Sequence, residues 1–407
     1  MKVRLLVLAI PTLILGITPA SRAQVGGADA PAAESTAADS VKATPEPADD
    51  TKAEPGPGVT PANVKSIKLE GLIQYQAASS SVDSVVEFDS ELRRMRLQVD
   101  GDARDGFGGR LQMDFDSNRA RVRDAYAEYK PTSAVTLRGG QFKPPFNVIE
   151  TTSAKRLPVI ERGVRIRGVR QTTTSNFLID NRYSGRQRGV MGIAKLADGR
   201  VTVQGGGWFG TGEANEDNDG KMLGGRVEFS ALPLREETSK PLLLGVAAIT
   251  NGFFGSPRDT LKVIDADTLI VEDPEYGAAL EGSVEYGAYG LSGLHVIANV
   301  VTGDNPAALA VDRADLEFET FRGLQGWIEL LLPVSSSILT GVAPAFRADH
   351  FDPDTGTDED AALLLTAGLN LYVGANGKLQ VNYDVLEPEA ADVDGESAFR
   401  LQTQLLF

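Results

Sequence analysis

The chain ends SAFRLQTQLLF, residues 397–407, and the way these residues alternate decides the fold. Phe399, Leu401, Thr403, Leu405 and Phe407 fall on one side, Arg400, Gln402 and Gln404 on the other. A repeat of two is the geometry of a β-strand, whose side chains point alternately to opposite faces. The pattern recurs upstream. In KLQVNYDVL, Leu379, Val381, Tyr383 and Val385 oppose Gln380, Asn382 and Asp384; in GRLQMDF, Leu111, Met113 and Phe115 oppose Arg110, Gln112 and Asp114. A soluble β-sandwich also alternates, with its polar side in water. Alternating pieces of about ten residues separated by turns, with aromatic residues near the ends, are the signature of a transmembrane barrel.

Working outward, strand-like segments occur near 65–76, 91–100, 108–116, 121–130, 134–142, 186–196, 200–210, 222–232, 241–251, 276–287, 290–301, 322–333, 338–350, 361–373, 378–387 and 397–407. An even set of about sixteen suits a closed antiparallel barrel. With the N-terminus in the periplasm, the short turns PTSA, LADGR, GAYG and GANG fall on the periplasmic side, and TGEANEDNDGK, DPDTGTDED and EPEAADVDGES fall outside. Asp312 to Phe321 alternates but breaks the parity, so it is expected in an external loop. The third external connection, from Lys143 to about Gly185, is the longest. A structureless connection of that length in a compact domain points to function, and the expectation is an inward-folded loop.

The N-terminal region reads differently. Met1 to Ala23 has Lys2 and Arg4, an apolar middle LLVLAIPTLILGI, and small residues around Arg22, which is a secretory signal. Residues 24–63 are Ala, Pro, Gly, Thr and acidic residues, a composition too polar to bury a core and expected to be a disordered linker. Residues 64–407 are then the barrel. No later apolar run is long enough for a membrane helix.

Several stretches resemble one family. RVRDAYAEYKP followed by LRGGQFKPPF, then GRQRGVMGIAKLADGRVTVQGGGWFGTGEANEDNDGKMLGGRVEFSAL, then GLNLYVGANGKLQVNYDVL and the closing RLQTQLLF are similar to phosphate-selective porins O and P. The similarity runs from about Val64 to Phe407, interrupted between Phe253 and Asp315. The resemblance implies a sixteen-stranded outer-membrane barrel, a homotrimer, conducting small anions, phosphate or polyphosphate among them. It also implies that the barrel-assembly machinery reads the terminal Phe407. The lysine cluster of the family's phosphate channels has no counterpart here, Lys155 standing by itself.

Charge is unevenly placed in a chain of net charge −16. Residues 64–200 hold 24 Lys/Arg against 16 Asp/Glu, whereas residues 201–407 hold 11 against 33. Between Glu150 and Gly189, Lys155, Arg156, Arg162, Arg165, Arg167, Arg170, Arg182, Arg186 and Arg188 face only Glu150, Glu161 and Asp180. Arginine stays charged and presents a fork of donors to oxyanions, and cations in a narrow pore favour anions. On the early strands, Arg94, Arg96, Arg110 and Arg138 sit opposite the apolar face. A charge facing lipid near the midplane costs about 2–4 kcal/mol, so these four are expected to line the lumen, either serving anions or pairing with carboxylates such as Asp114 and Asp116. The alternative for the loop arginines is a solvated outer surface that bridges lipopolysaccharide phosphates.

Other classes are weaker. With no Cys there are no disulfides or thiolate metal sites, and with 2 His metal sites start poorly. The Asp-rich loops have an incomplete calcium-loop spacing. His295 and His350 lack a Gly-x-Ser-x-Gly context, so no enzyme is expected. No cofactor or nucleic acid is expected; the partners are small anions, outer-membrane lipid and lipopolysaccharide. Two alternatives remain: a non-selective general-diffusion porin, and a structural barrel that tethers the envelope through residues 24–63.

Overall fold

The computed structural model describes residues 64–407, apart from 83–84, 117–118, 164–172, 211, 213–220, 233–240, 252–260, 265–266, 271–276, 288–292 and 310–317. The predicted signal and linker lie outside the described residues.

The strands are β1 (Val64–Val82), β2 (Val85–Ala103), β3 (Phe107–Asp116), β4 (Arg119–Tyr129), β5 (Val135–Phe142), β6 (Gln187–Leu196), β7 (Val201–Trp208), β8 (Met222–Ser230) and β9 (Leu242–Thr250). A small separate hairpin comes next, β10 (Leu261–Ile264) with β11 (Asp267–Ile270). Then come β12 (Ala278–Tyr286), β13 (Gly293–Leu309), β14 (Phe318–Pro333), β15 (Leu339–Asp352), β16 (Ala362–Val373), β17 (Gly377–Pro388) and β18 (Glu396–Leu406). All except β10 and β11 form one closed barrel in sequence order, with β12 beside β9 and β18 beside β1. That is a sixteen-stranded antiparallel barrel, and each of the sixteen segments anticipated from alternation overlaps one of its strands. No helix among the described residues is long and apolar enough to cross a membrane.

Burial runs opposite to that of a soluble protein. On β18, Arg400, Gln402 and Gln404 are buried while Phe399, Leu401 and Leu405 are exposed. Gln380, Asn382 and Asp384 on β17 are likewise buried and Tyr383 is exposed. The polar face therefore lines the interior and the apolar face is the outside, as a barrel whose outer solvent is lipid requires. The seam closes at the last residue. Gly71 N donates to Phe407 O (2.7 Å) and Phe407 N to Gly71 O (3.2 Å). The Phe407 ring lies where a Cβ on Gly71 would stand, so a larger residue there would have to displace that ring.

Two expectations are adjusted. Asp312 to Phe321 is not wholly loop: Phe318–Phe321 belong to β14, where Phe321 pairs with Gly303 of β13. β14 thus begins four residues before the anticipated segment 322–333, and 312–317 lie outside the described residues. The hairpin β10–β11, four residues in each strand, was not foreseen.

Two β-bulges change which side chains face the lumen. Gln74 pairs with Arg94 and Tyr75 with Leu92, which leaves Arg93 as an extra residue on β2. Leu111 pairs with Ala125 and Met113 with Val122, so Arg123 and Asp124 together stand opposite Gln112. A bulge re-aims side chains that strict alternation would send outward.

Candidate functional site

The long connection between β5 and β6 makes its described contacts with inward-facing side chains, in two parts. The first part starts at a clamp. Glu281 of β12, fully buried, accepts from the backbone N–H groups of Asn147 (2.9 Å) and Val148 (2.7 Å), from Asn299 Nδ2 (2.9 Å) and from the Arg226 guanidinium (2.8 Å). Asn147 adopts φ 60°, which asparagine tolerates better than most residues. Its side chain accepts from Glu150 N (3.0 Å), capping the single-turn helix α1 (Val148–Thr151). Val148, Ile149, Leu157 and Val159 then pack on Ile297 of β13 and Trp327 of β14.

The next carbonyls along the connection are taken up one after another by β15 to β17. Leu157 O accepts from Lys378 Nζ (3.0 Å) and Gln380 Nε2 (3.3 Å), and Pro158 O from Asn370 Nδ2 (2.8 Å). Arg347 NH1 donates to Glu161 O (2.7 Å) and Arg162 O (2.9 Å). Buried polar groups need partners, and here loop backbone and lumen side chains satisfy each other.

The second part, helix α2 (Thr174–Asp180), meets β14 and β15. Thr174 Oγ1 donates to Asp349 (2.6 Å), and Gln325 Nε2 donates to Ser175 Oγ (3.0 Å). Phe177 packs on Phe321 and Phe351, with ring centroids 4.6 and 4.9 Å apart. Tyr183 OH donates to Asp304 O (2.7 Å).

Among the described residues of the connection, both carboxylates before the break at 164, Glu150 and Glu161, are paired. Lys143 Nζ lies 2.7 Å from Glu150 Oε1 and Arg162 Nε 3.6 Å from Glu150 Oε2. Burial pushes the Glu150 carboxyl up, but Lys143 and Arg162 outweigh it and hold it at about 2. Burial and then the neighbouring cation Arg162 push the Lys143 ammonium well below its ordinary value, while the 2.7 Å contact with Glu150 opposes them. Burial acts on Glu161 in the same way, and Arg94 and Arg93 overcome it, leaving that carboxyl below the usual range.

Beside these packed parts lies a cavity of about 1210 Å³, lined by residues of β1 to β8, of β12 and β13, and of the connection itself. Among the described residues its lining carries fourteen Lys/Arg against seven Asp/Glu, which makes the surface around it cationic. Of the anticipated residues, Arg94, Arg96, Arg110, Arg138, Lys155, Arg156 and Arg162 all line this cavity. Arg96 grips Asp114 with two bonds (2.5 and 2.7 Å), and Arg110 Nε donates to Asp100 (2.6 Å). Arg138 donates to Glu128 (2.6 and 2.8 Å) and sits 4.4 Å above the Tyr126 ring. Arg94 donates to Gln74 (2.9 Å) and Glu161 (3.0 Å), and Lys155 to Glu70 (2.9 Å). Arg162 donates to the carbonyls of Ile149 (3.0 Å) and Thr152, and Arg156 is exposed. Arg165, Arg167 and Arg170 lie outside the described residues.

Arg186, counted in the basic run after Glu150, lines it too, and Arg93, Arg121, Arg123, Lys143 and Arg226 are among the lining cations not assigned to the lumen from sequence. Arg93 and Arg123 are turned inward by the bulges, which no repeat of two reveals. Arg186 donates to Asp124 (2.5 Å) and Gln112 (3.0 Å). His295 lines the cavity 3.5 Å from Glu285, whereas His350 is on the exposed face.

Residues 68–259 match the family described as phosphate-selective porin O and P. Among curated proteins none matches the sequence. In fold the chain is similar to the outer membrane channel DcaP of Acinetobacter baumannii, at 12% identity over 86% of this chain and 99% of that one, with a TM-score of 0.56. It is similar to an anion-selective porin from Comamonas acidovorans at 10% identity, over 84% of this chain and 99% of that one, with a TM-score of 0.55. The trimer form of OmpT from Vibrio cholerae matches at 12% identity over 84% and 99%, with a TM-score of 0.52. At such identities these likenesses concern the fold alone.

Proposed function

We propose that this outer-membrane porin channel favours small anionic solutes. The porin identity rests on the family match over residues 68–259 and on the closed, inverted barrel. The anion preference rests on one observation: fourteen cations against seven carboxylates line the cavity of a chain whose net charge is −16. Ions crossing the barrel meet that lining first-hand, in a confined space where fixed charges act strongly.

In this reading the connection 143–186 narrows the lumen from the β12–β17 side. Lys155, Arg156 and Arg162 are among its cations that line the cavity; Arg165, Arg167 and Arg170 belong to the proposal by sequence, outside the described residues. Arg94, Arg96, Arg110 and Arg138 form the facing wall. The arrangement supports recognition of oxyanions in general; phosphate or polyphosphate would be one case. Assembly as a homotrimer is part of the proposal, supported by the OmpT trimer of similar fold. So are contacts with lipopolysaccharide and recognition of Phe407 by the assembly machinery; the exposed Phe407 ring at the barrel seam supports the latter.

One observation favours a general-diffusion porin instead. Arg94, Arg96, Arg110 and Arg138 each hold a carboxylate, which dampens their field. Reversal potential in a planar bilayer under a KCl gradient separates the two. A chloride-preferring potential, reduced when Arg110 and Arg138 are both replaced by Gln, is expected. A potential near zero, unmoved by the double replacement, favours general diffusion, and a potassium preference overturns the proposal.

A further inference from the structure

Glu161 holds two positions with two different parts of itself. Its backbone is fixed on the β15–β17 side. Arg347 takes the carbonyls of Glu161 and Arg162, Asn370 that of Pro158, and Lys378 and Gln380 that of Leu157. None of these anchors passes through the Glu161 carboxylate.

The carboxylate reaches to β2 instead. Arg93 Nε donates to Oε1 (2.5 Å) and Arg93 NH2 to Oε2 (3.2 Å), while Arg94 NH2 donates to Oε2 (3.0 Å). Consecutive strand residues ordinarily point apart; the bulge opposite Gln74 and Tyr75 is what brings these two guanidinium groups together. Both also line the cavity. The side chains of Glu161 and Arg94 are each about nine-tenths buried, at 10% and 11% exposure. The result is a two-arginine cradle, built by an irregularity of the wall and filled by a carboxylate that the loop does not need for its own attachment.

We infer that the Arg93–Arg94 pair is a binding site for the carboxylate group of a passing solute, and that Glu161 occupies it in the resting channel. This deepens the anion-channel reading and rests on it. The chemistry favours carboxylate: a planar two-oxygen group matches the guanidinium fork, with Arg93 engaging both oxygens. A tethered occupant competes at an effective concentration on the order of millimolar or above, so Glu161 keeps weak anions out. A solute carboxylate concentrated by the cationic lining takes its place, hands over to the next cation, and Glu161 returns.

The test uses the full chain in planar bilayers, with acetate as the probe and chloride as the current carrier. Glu161→Gln keeps the shape and every backbone anchor but weakens the occupant. Acetate should then block chloride current at a concentration at least tenfold lower than in the wild type. Glu70→Gln is the comparison, because Glu70 is also a cavity carboxylate but is held by Lys155 and Lys68. Removing one unit charge some 6 Å away in a water-like medium is worth only about threefold in local anion occupancy, and that is all Glu70→Gln should give.

Adding Arg94→Ala to Glu161→Gln should abolish the gain, by far more than Arg94→Ala changes the wild type; that non-additivity reports the shared site. Should Glu161→Gln not assemble, Glu161→Asp, too short to span both arginines, should show the same gain in smaller measure. Equal shifts for Glu161→Gln and Glu70→Gln, or additive effects of Arg94→Ala, overturn the inference while leaving anion preference intact. A wild-type potassium preference overturns the underlying channel reading instead.

Discussion

Glu281 ties the first turn of the connection to the barrel wall. Its two oxygens receive two loop N–H groups, Asn299 and Arg226 in a site with no exposure of the carboxylate. Truncating one partner of a buried ion pair leaves the other uncompensated and costs roughly 3–5 kcal/mol. Glu281→Ala should therefore lower the temperature at which the folded barrel loses its compact gel mobility. It should also make single-channel current noisier, since the first turn of the loop loses its acceptors. Quiet current at unchanged mean conductance would show that the turn is held by other contacts. Residues of this kind were not legible in the sequence: Glu281 sits in GAALEGSVEY, where nothing distinguishes it from a surface acid. Arg94, Arg96, Arg110 and Arg138 were legible, because a repeat of two assigns them to the polar face. Arg93 and Arg123 were not, because a bulge is set by the pairing of two distant strands and leaves no mark in either alone.

At the level of elements, the connection 143–186 is fastened by ionised carboxylates, and this gives it a pH dependence of fixed sign. The Glu150 carboxyl titrates near 4.5 when unperturbed and at about 2 beside Lys143 and Arg162. A depressed folded-state value means the stabilisation is complete above the unperturbed value and is lost as pH falls through the folded one. Between pH 4.5 and about 2 the loop should thus loosen progressively. Channel recordings should show noise rising across this window and flat behaviour from about pH 5 to 7. Glu150→Gln should raise the noise at neutral pH and shrink the acid step; an unaltered acid step in that variant would assign the effect to other groups. The strands themselves were the most readable elements, since lipid outside and water inside impose alternation on every one of them. The hairpin β10–β11 escaped because its two strands of four residues lie outside the barrel, where neither solvent enforces the pattern. Phe318–Phe321 were misread for a related reason: counting by membrane thickness assigns a strand's overhang to the loop.

For the whole molecule the question is which charge an ion feels, the net −16 or the cationic lining. Distance and salt decide. The Debye length is about 30 Å at 0.01 M, about 10 Å at 0.1 M and about 3 Å at 1 M. At the lowest salt the acidic ends of the strands contribute, including Asp358 and Glu359 in the connection between β15 and β16, both exposed. At about 0.1 M their field is largely screened before it reaches the cavity, whereas Arg110 and Arg138 line the cavity itself. The two groups should therefore separate by ionic strength. Replacing Asp358 and Glu359 by Asn and Gln should move the reversal potential toward chloride in gradients centred near about 0.01 M and hardly at all near about 0.1 M. Replacing Arg110 and Arg138 by Gln should move it toward potassium at both. If the acidic pair mattered equally at both salts, those residues would have to stand beside the permeation path, and the local lining would not be what sets the sign. If the arginine pair mattered only at low salt, the path would run far from the β3–β5 wall, along some other side of the lumen.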